Sequence, residues 1–152
     1  MICRRHTARD FDRIADLRWD LKTEDLADSA LPEKSAFRRG YLAHLRSAET
    51  AGQTTHWLLE KHGEVHGVMT LRAVLKETSL SGRTGAWGYL TNVFVSPYCR
   101  NQGLGTALLS HVITEARAAE MEFLLVWPSD RSVGFYTRAG FTGAREPLCL
   151  EL

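Results

Sequence analysis

Apolar residues change their period along this chain, and each change marks an element. Phe11, Ile14, Leu17 and Leu21 recur at three- and four-residue intervals, the spacing of one helix face. Residues 1–6 ahead of them read as a short strand, and Thr7 with Asp10 resembles a capping box in which a short carboxylate replaces the usual Glu. The apolar face breaks up over residues 23–29, a loop that closes at Pro32, and Phe37, Tyr41, Leu42 and Leu45 define a second helix ending before Gly52. From Thr55 the pattern becomes that of strands. Trp57-Leu58-Leu59-Glu60 and residues 65–75 form an antiparallel hairpin across a three-residue His62-Gly63-Glu64 connection. Residues 78–85, rich in Ser, Thr and Gly, read as a loop, and residues 87–95 as a strand stopped by Pro97. A helix over residues 103–119 carries Leu108, Leu109, Val112, Ile113 and Ala116 on one face. The unbroken apolar run from Phe123 to Trp127 reads as a strand covered on both sides, as a central strand in a parallel pairing would be. Residues 132–139 make a short helix that Gly140 terminates, and residues 141–152 supply one or two closing strands.

The order βα, α, ββ, β, α, β, α, β is mixed α/β (α+β). It predicts one domain over residues 1–152: a mixed, mostly antiparallel central sheet with one parallel strand pair, flanked by about four helices. Composition agrees with a globular chain: 152 residues are 44% hydrophobic and 24% charged, which excludes disordered and fibrous classes. Nineteen Lys and Arg against eighteen Asp and Glu leave a net charge of +1, so no field exists to hold a nucleic acid. No apolar run approaches the roughly 20 residues of a membrane span, so no membrane partner is expected. Arg4, Arg5, His6, Arg9 and Asp10 stand where a secretory signal would be apolar, which predicts a cytoplasmic protein. Cys3, Cys99 and Cys149 form no C-x-x-C pair, against both a disulfide framework and a thiolate zinc site. His56, His62 and His66 match no familiar ligand spacing, so no metal is expected. Cys99 reads as a small apolar residue rather than a nucleophile.

The informative stretch is Val93-Phe94-Val95-Ser96-Pro97-Tyr98-Cys99-Arg100-Asn101-Gln102-Gly103-Leu104-Gly105-Thr106, a strand, a glycine loop and a helix start in succession. Glycines let consecutive N–H groups turn inward, and the helix N-terminus adds about half a positive charge, so a pyrophosphate would fit. A P-loop is excluded because Thr106 and Ala107 follow Gly105 where Lys is required. A Rossmann fingerprint fails at Leu108 and at Trp127, where a small and an acidic residue belong.

Arg100-Asn101-Gln102-Gly103-Leu104-Gly105 matches [RQ]-x-x-G-x-[GA], and Phe135-Tyr136-Thr137-Arg138-Ala139-Gly140-Phe141 matches F-Y-x-x-x-G-F. With these two motifs in register, the sequence resembles the GNAT superfamily of acyl-CoA-dependent N-acetyltransferases along its whole length. The resemblance implies the GNAT fold and acetyl-CoA as cosubstrate. It implies that the backbone of Val93, Phe94 and Val95 pairs with the pantetheine amides, and that the loop amides from Arg100 through Asn101, Gln102, Gly103, Leu104 and Gly105 to Thr106 hold the pyrophosphate. A Cβ at Gly103 or Gly105 would obstruct that approach, and the Arg100 guanidinium would add to the phosphate contacts. Tyr136 falls at the position of the family's general acid, which protonates the departing thiolate after an amine attacks the thioester. Ser129 stands where many members have a cofactor-touching Asn, and Thr91 and Leu124 where many have a catalytic Glu, so the general base is unassigned: either Glu60, Asp130, Glu24 or Asp25 acts through water, or the acceptor amine has a low intrinsic pKa. Glu24, Asp25, Asp28 and Glu33 in the loop after the first helix favour a cationic, small-molecule amine as acceptor, and Trp19, Trp57, Trp87 and Trp127 read as packing residues with an aromatic pocket as the alternative. A protein N-terminus or lysine as acceptor, and a non-catalytic acetyl-CoA-binding module, are the competing readings. An edge strand over residues 148–152 would serve a homodimer.

Overall fold

The computed structural model describes residues 1–27, 30–82 and 84–143. Five strands form one sheet: β1 (Ile2–Arg5), β2 (Thr54–Lys61), β3 (Glu64–Thr78), β4 (Thr84–Val95) and β5 (Leu124–Leu125), in that order across it. The first three pairings are antiparallel and β4 with β5 is parallel. Two helices, α1 (Phe11–Thr23) and α2 (Lys34–Ala51), precede the long hairpins, α3 (Leu104–Ala118) joins β4 to β5, and the short α4 (Val133–Arg138) follows. No helix among the described residues is long and apolar enough to cross a membrane.

The pleat sends alternate residues to two cores. Leu58, Val68 and Phe94 join Phe11, Ile14, Leu17 and Leu45 on the α1–α2 side. Leu59, Met69 and Leu90 join Leu108, Leu109, Val112 and Tyr136 on the other. Asp10 accepts from the Thr7 backbone N–H at 2.7 Å and from its hydroxyl at 3.0 Å, and the carboxylate is also held by Arg4. The capping pair therefore starts a 3₁₀ turn, Ala8–Asp10, that leads into α1.

Three expectations change in detail. The β2–β3 connection has two residues, not three, because Lys61 pairs with Glu64 and both His62 and Gly63 adopt positive φ, the backbone of a tight hairpin. The loop expected over residues 78–85 is shorter, since β3 runs to Thr78 and β4 starts at Thr84. The run from Phe123 to Trp127 is not a strand covered on both faces: only Leu124 and Leu125 pair, with Gly88 and Tyr89, while Phe123 is 50% and Trp127 64% exposed. Its apolar character comes instead from ring contacts, Phe123 stacked on Trp87 at 5.4 Å and Trp127 against Tyr89 at 5.2 Å. The strands and dimer edge expected from residue 144 onward lie outside the described residues.

Candidate active site

Because β5 leaves β4 after Tyr89, the later half of β4 has no strand neighbour on that side among the described residues. The strands part into a cleft of about 690 Å³, walled by residues 89–95 of β4, residues 126–129 after β5, the glycine loop and Tyr136. Unpaired backbone along such an edge can take an extended ligand as a further strand would.

A bulge breaks β4 within this cleft. Val68 pairs with Phe94 and Thr70 with Thr91, so Asn92 and Val93 together oppose Met69, and Asn92 takes φ +48°. Asn tolerates that left-handed backbone better than a β-branched residue, and its side chain is tied down. Nδ2 donates to the Tyr41 hydroxyl and to Thr70 Oγ1, both at 3.3 Å, and Oδ1 lies 3.5 Å from Arg18 Nη1. Thr70 in turn reaches His56 Nδ1 at 2.8 Å. Burial pushes the His56 pKa down to about 3, so the ring is neutral and shares one proton with the threonine hydroxyl in this hydrogen bond. An Asn in an otherwise apolar, β-branched strand was the sequence signal for this bulge, and the spacing argument passed over it.

The glycine loop forms as its residues require. Asn101 (φ +58°) and Gly103 (φ +75°) are both left-handed, and Gly103 is the residue that caps α3. Alternation of this kind turns amides toward one concavity at a helix N-terminus. The two glycines differ in a way the sequence did not show. A Cβ on Gly103 would meet nothing within 4 Å, so its backbone angle and the open cleft are what select glycine. A Cβ on Gly105 would rest 3.6 Å from Phe135 and 3.7 Å from Val95, which is ordinary contact.

Among the expected site residues, Val93, Phe94, Val95, Arg100, Asn101, Gly103, Gly105, Thr106, Ser129 and Tyr136 line the cleft. Gln102 and Leu104 do not: Gln102 donates to the Tyr98 carbonyl and accepts from Lys61, and Leu104 packs on the core. Ser129 Oγ donates to Ser132 Oγ at 3.1 Å. Tyr136 is 5% exposed, wedged between Phe135 and Phe141, and its hydroxyl has no protein hydrogen-bond partner among the described residues. Burial pushes its pKa up to about 12, so the phenol keeps its proton throughout the neutral range.

Arg100 is held by protein groups through Nε and Nη1. Its Nε donates to the Val95 carbonyl at 2.8 Å, its guanidinium pairs with Glu24, and it lies over the Phe94 ring. Arg131 grips Glu24 and Asp25 at 3.0 Å each. These contacts, Arg100 first, hold the Glu24 carboxyl below its usual range. Two of the four acids expected to present negative charge are thus engaged by arginines, Glu24 and Asp25, whereas Glu33 has no ion pair among the described residues and Asp28 lies outside them. Glu60 pairs with Arg4 beside β1 and does not line the cleft. Thr91 lines the cleft, whereas Leu124 packs on the α3-side core. Of the tryptophans, Trp127 lines the cleft and Trp19 is buried against Phe37. Lys22 and Arg131 at the cleft carried no sequence motif.

Known proteins share this architecture. A predicted acetyltransferase from Clostridium acetobutylicum, solved with acetyl-CoA, superimposes with a TM-score of 0.77 at 17% identity, over 99% of this chain and 95% of that one. A GCN5-related N-acetyltransferase from Ralstonia eutropha gives 0.78 at 20% identity over 99% and 97%. A glucosamine-6-phosphate N-acetyltransferase from Arabidopsis thaliana gives 0.70 at 13% identity over 99% and 97%. Among curated proteins none matches the sequence. The profile of the acetyltransferase (GNAT) family matches residues 11–141, from the start of α1 through the Phe141 that packs on Tyr136. The sheet, the parting strands and that match together make the chain a member of the GNAT acetyltransferase family.

Proposed function

We propose that this chain moves an acetyl group from acetyl-CoA to the primary amine of a small molecule by direct attack in a ternary complex, with Tyr136 as general acid. The observation that carries the reading is a buried phenol with no hydrogen-bond partner among the described residues, at the wall of a cleft between two parting strands; its raised pKa keeps it protonated. The residues fit acetyl-CoA: the edge at Val93 to Val95 has no strand partner among the described residues and suits amide pairing, although Arg100 Nε takes the Val95 carbonyl, and the left-handed Asn101 and Gly103 with the α3 N-terminus suit phosphate. Acetyl-CoA supplies a thioester whose carbonyl carbon the amine nitrogen attacks, and as the C–S bond breaks the sulfur takes the Tyr136 proton.

Among the described residues no base of suitable strength stands at the cleft. Glu24 is the one carboxylate among its described lining residues, and its arginines make it a weaker base than an ordinary glutamate. His56 sits behind Thr70, too weakly basic to serve. Deprotonating a lysine-like amine at pH 7 costs about 4–5 kcal/mol, so the amine enters in its neutral form and its second proton leaves to water after attack. The test is a panel of primary amines with acetyl-CoA, following thiol release and acetylated product by mass spectrometry. Wild type forms both in equal amounts, and Tyr136→Phe forms them at least about 10²-fold more slowly. Thiol release without an acetylated amine would point to a binding module with slow hydrolysis.

A further inference from the structure

Six arginines are partly buried among the described residues: Arg4, Arg13, Arg18, Arg38, Arg72 and Arg100. Four of them donate to an oxygen at 2.8 Å or closer, Arg4, Arg38 and Arg100 to carboxylates or carbonyls and Arg13 to the Val65 carbonyl. The other two do not. Arg18 reaches only Asn92 Oδ1 at 3.5 Å, and Arg72 donates only to His44 Nε2 at 3.1 Å while its Nε is buried without a partner. No carboxylate among the described residues lies within ion-pair distance of Arg18, Arg72 or Lys22.

Of these cations only Lys22 lines the cleft; Arg18 and Arg72 stand beside its wall, next to the lining residues Asn92 and Tyr89. Arg72 on β3 pairs with Tyr89 on β4, and Tyr89 lines the cleft. Two residues back along β3, roughly 7 Å, Thr70 holds the bulge residue Asn92, which Arg18 touches from α1. Lys22 follows Arg18 by one helical turn and also lines the cleft. Burial raises the Tyr41 pKa, and the charges of Arg18 and Arg72 oppose that rise. Tyr89 stands six residues, roughly 20 Å, along β4 from Val95, where the glycine loop begins. Arg72 therefore stands toward the far end of the cleft from the glycine loop, with Arg18 between them at Asn92.

Like charges gathered in a partly desolvated site, with a guanidinium N–H left unsatisfied, are costly unless an anion arrives. A planar guanidinium fork fits a carboxylate or phosphate. We propose that the acceptor amine also carries an anionic group, a carboxylate or a phosphate, held by Arg18 and Arg72 on the α1–α2 side of the cleft. This rests on the acetyl-transfer reading above and replaces the cationic acceptor that the loop composition suggested.

The test compares acceptors matched in size: O-phosphoethanolamine with ethanolamine, and β-alanine with propylamine. The anion-bearing member of at least one pair has a kcat/KM higher by about 10- to 100-fold, and the better pair tells phosphate from carboxylate. Arg72→Gln and Arg18→Gln each cut that ratio by about tenfold, with thermal unfolding used to confirm that both variants are folded. In parallel, calorimetry on CoA-saturated protein with inorganic phosphate and with acetate reads anion binding independently of turnover, and Arg72→Gln weakens it. Equal use of both members of each pair, or a ratio that survives both substitutions, overturns the proposal. So does the absence of phosphate and acetate binding. Failure of acetyl-CoA itself to bind would instead overturn the acetyl-transfer reading.

Discussion

The two glycines at the N-terminus of α3 should respond to substitution with opposite signs of stability and unequal effects on acetyl-CoA binding. Gly103 holds φ +75° with open space where a Cβ would stand. Gly103→Ala therefore clashes with nothing but carries the left-handed penalty of about 1–2 kcal/mol, a fall in Tm of roughly 2–8 °C for a chain of this size. Gly105 lies in the first turn of α3, and its new Cβ would meet Phe135 and Val95 at ordinary contact distance. Gly105→Ala should stabilise by about 0.4–1 kcal/mol, mainly through the unfolded chain, a rise of roughly 1–4 °C. The assay is thermal unfolding with and without acetyl-CoA. A ligand at 100 times its Kd stabilises by about 2.7 kcal/mol. Gly103→Glu, which puts a carboxylate into the anion cradle, should lose that increment, and Gly105→Ala should keep it within a factor of about three in Kd. If Gly105→Ala loses binding as completely as Gly103→Glu, close backbone approach is what selects glycine at 105, and the packing argument is wrong. If both alanine variants shift Tm in the same direction, the backbone reasoning fails.

Further outcomes follow from the same structure. Tyr136→Phe should lose about 10²-fold or more in kcat while unfolding at nearly the wild-type temperature, because its hydroxyl has no protein partner to strand; equal losses in turnover and stability would make Tyr136 a packing residue. With no strong base at the cleft, kcat/KM for the amine should rise tenfold per pH unit up to the amine's own pKa. A plateau set at pH 6–8 regardless of the amine used would reveal an enzymic base. Thr70→Val leaves His56 Nδ1 and an Asn92 N–H unpaired and should cost about 1–3 kcal/mol, read by denaturant unfolding; a neutral effect would mean that the network does not hold the bulge. His56 stays neutral in the folded chain down to about pH 3, whereas its unfolded form protonates near 6.5. Stability from this residue is therefore full above pH 6.5 and lost as pH falls toward 3, by about 1.4 kcal/mol per unit. A stability flat between pH 6.5 and 5 would contradict that burial.

Elements whose period matched their burial could be read from the sequence. Phe11, Ile14 and Leu17 point into the core as their spacing requires, and the glycine loop and Tyr136 were legible because backbone angle and motif register confine them to few residue types. What escaped depended on contacts far apart in the chain. Nothing local shows that Glu24 meets Arg100 and Arg131 across 76 and 107 positions, so this acid and Asp25 beside it read as free negative charge. The run at 123–127 is continuous for a local reason, ring stacking on Trp87 and Tyr89, and periodicity cannot separate that from burial on two faces. The bulge was signalled only by a single Asn in a strand.

The claim on which the account turns is that acetyl-CoA lies between the parted β4 and β5 with its phosphates on the glycine loop. Hydrogen exchange read by mass spectrometry, with and without acetyl-CoA, tests it directly. Added protection should appear in peptides covering residues 91–95 and 101–106 and leave β1 and β2 unchanged. Protection confined elsewhere, or none at saturating acetyl-CoA, would contradict it.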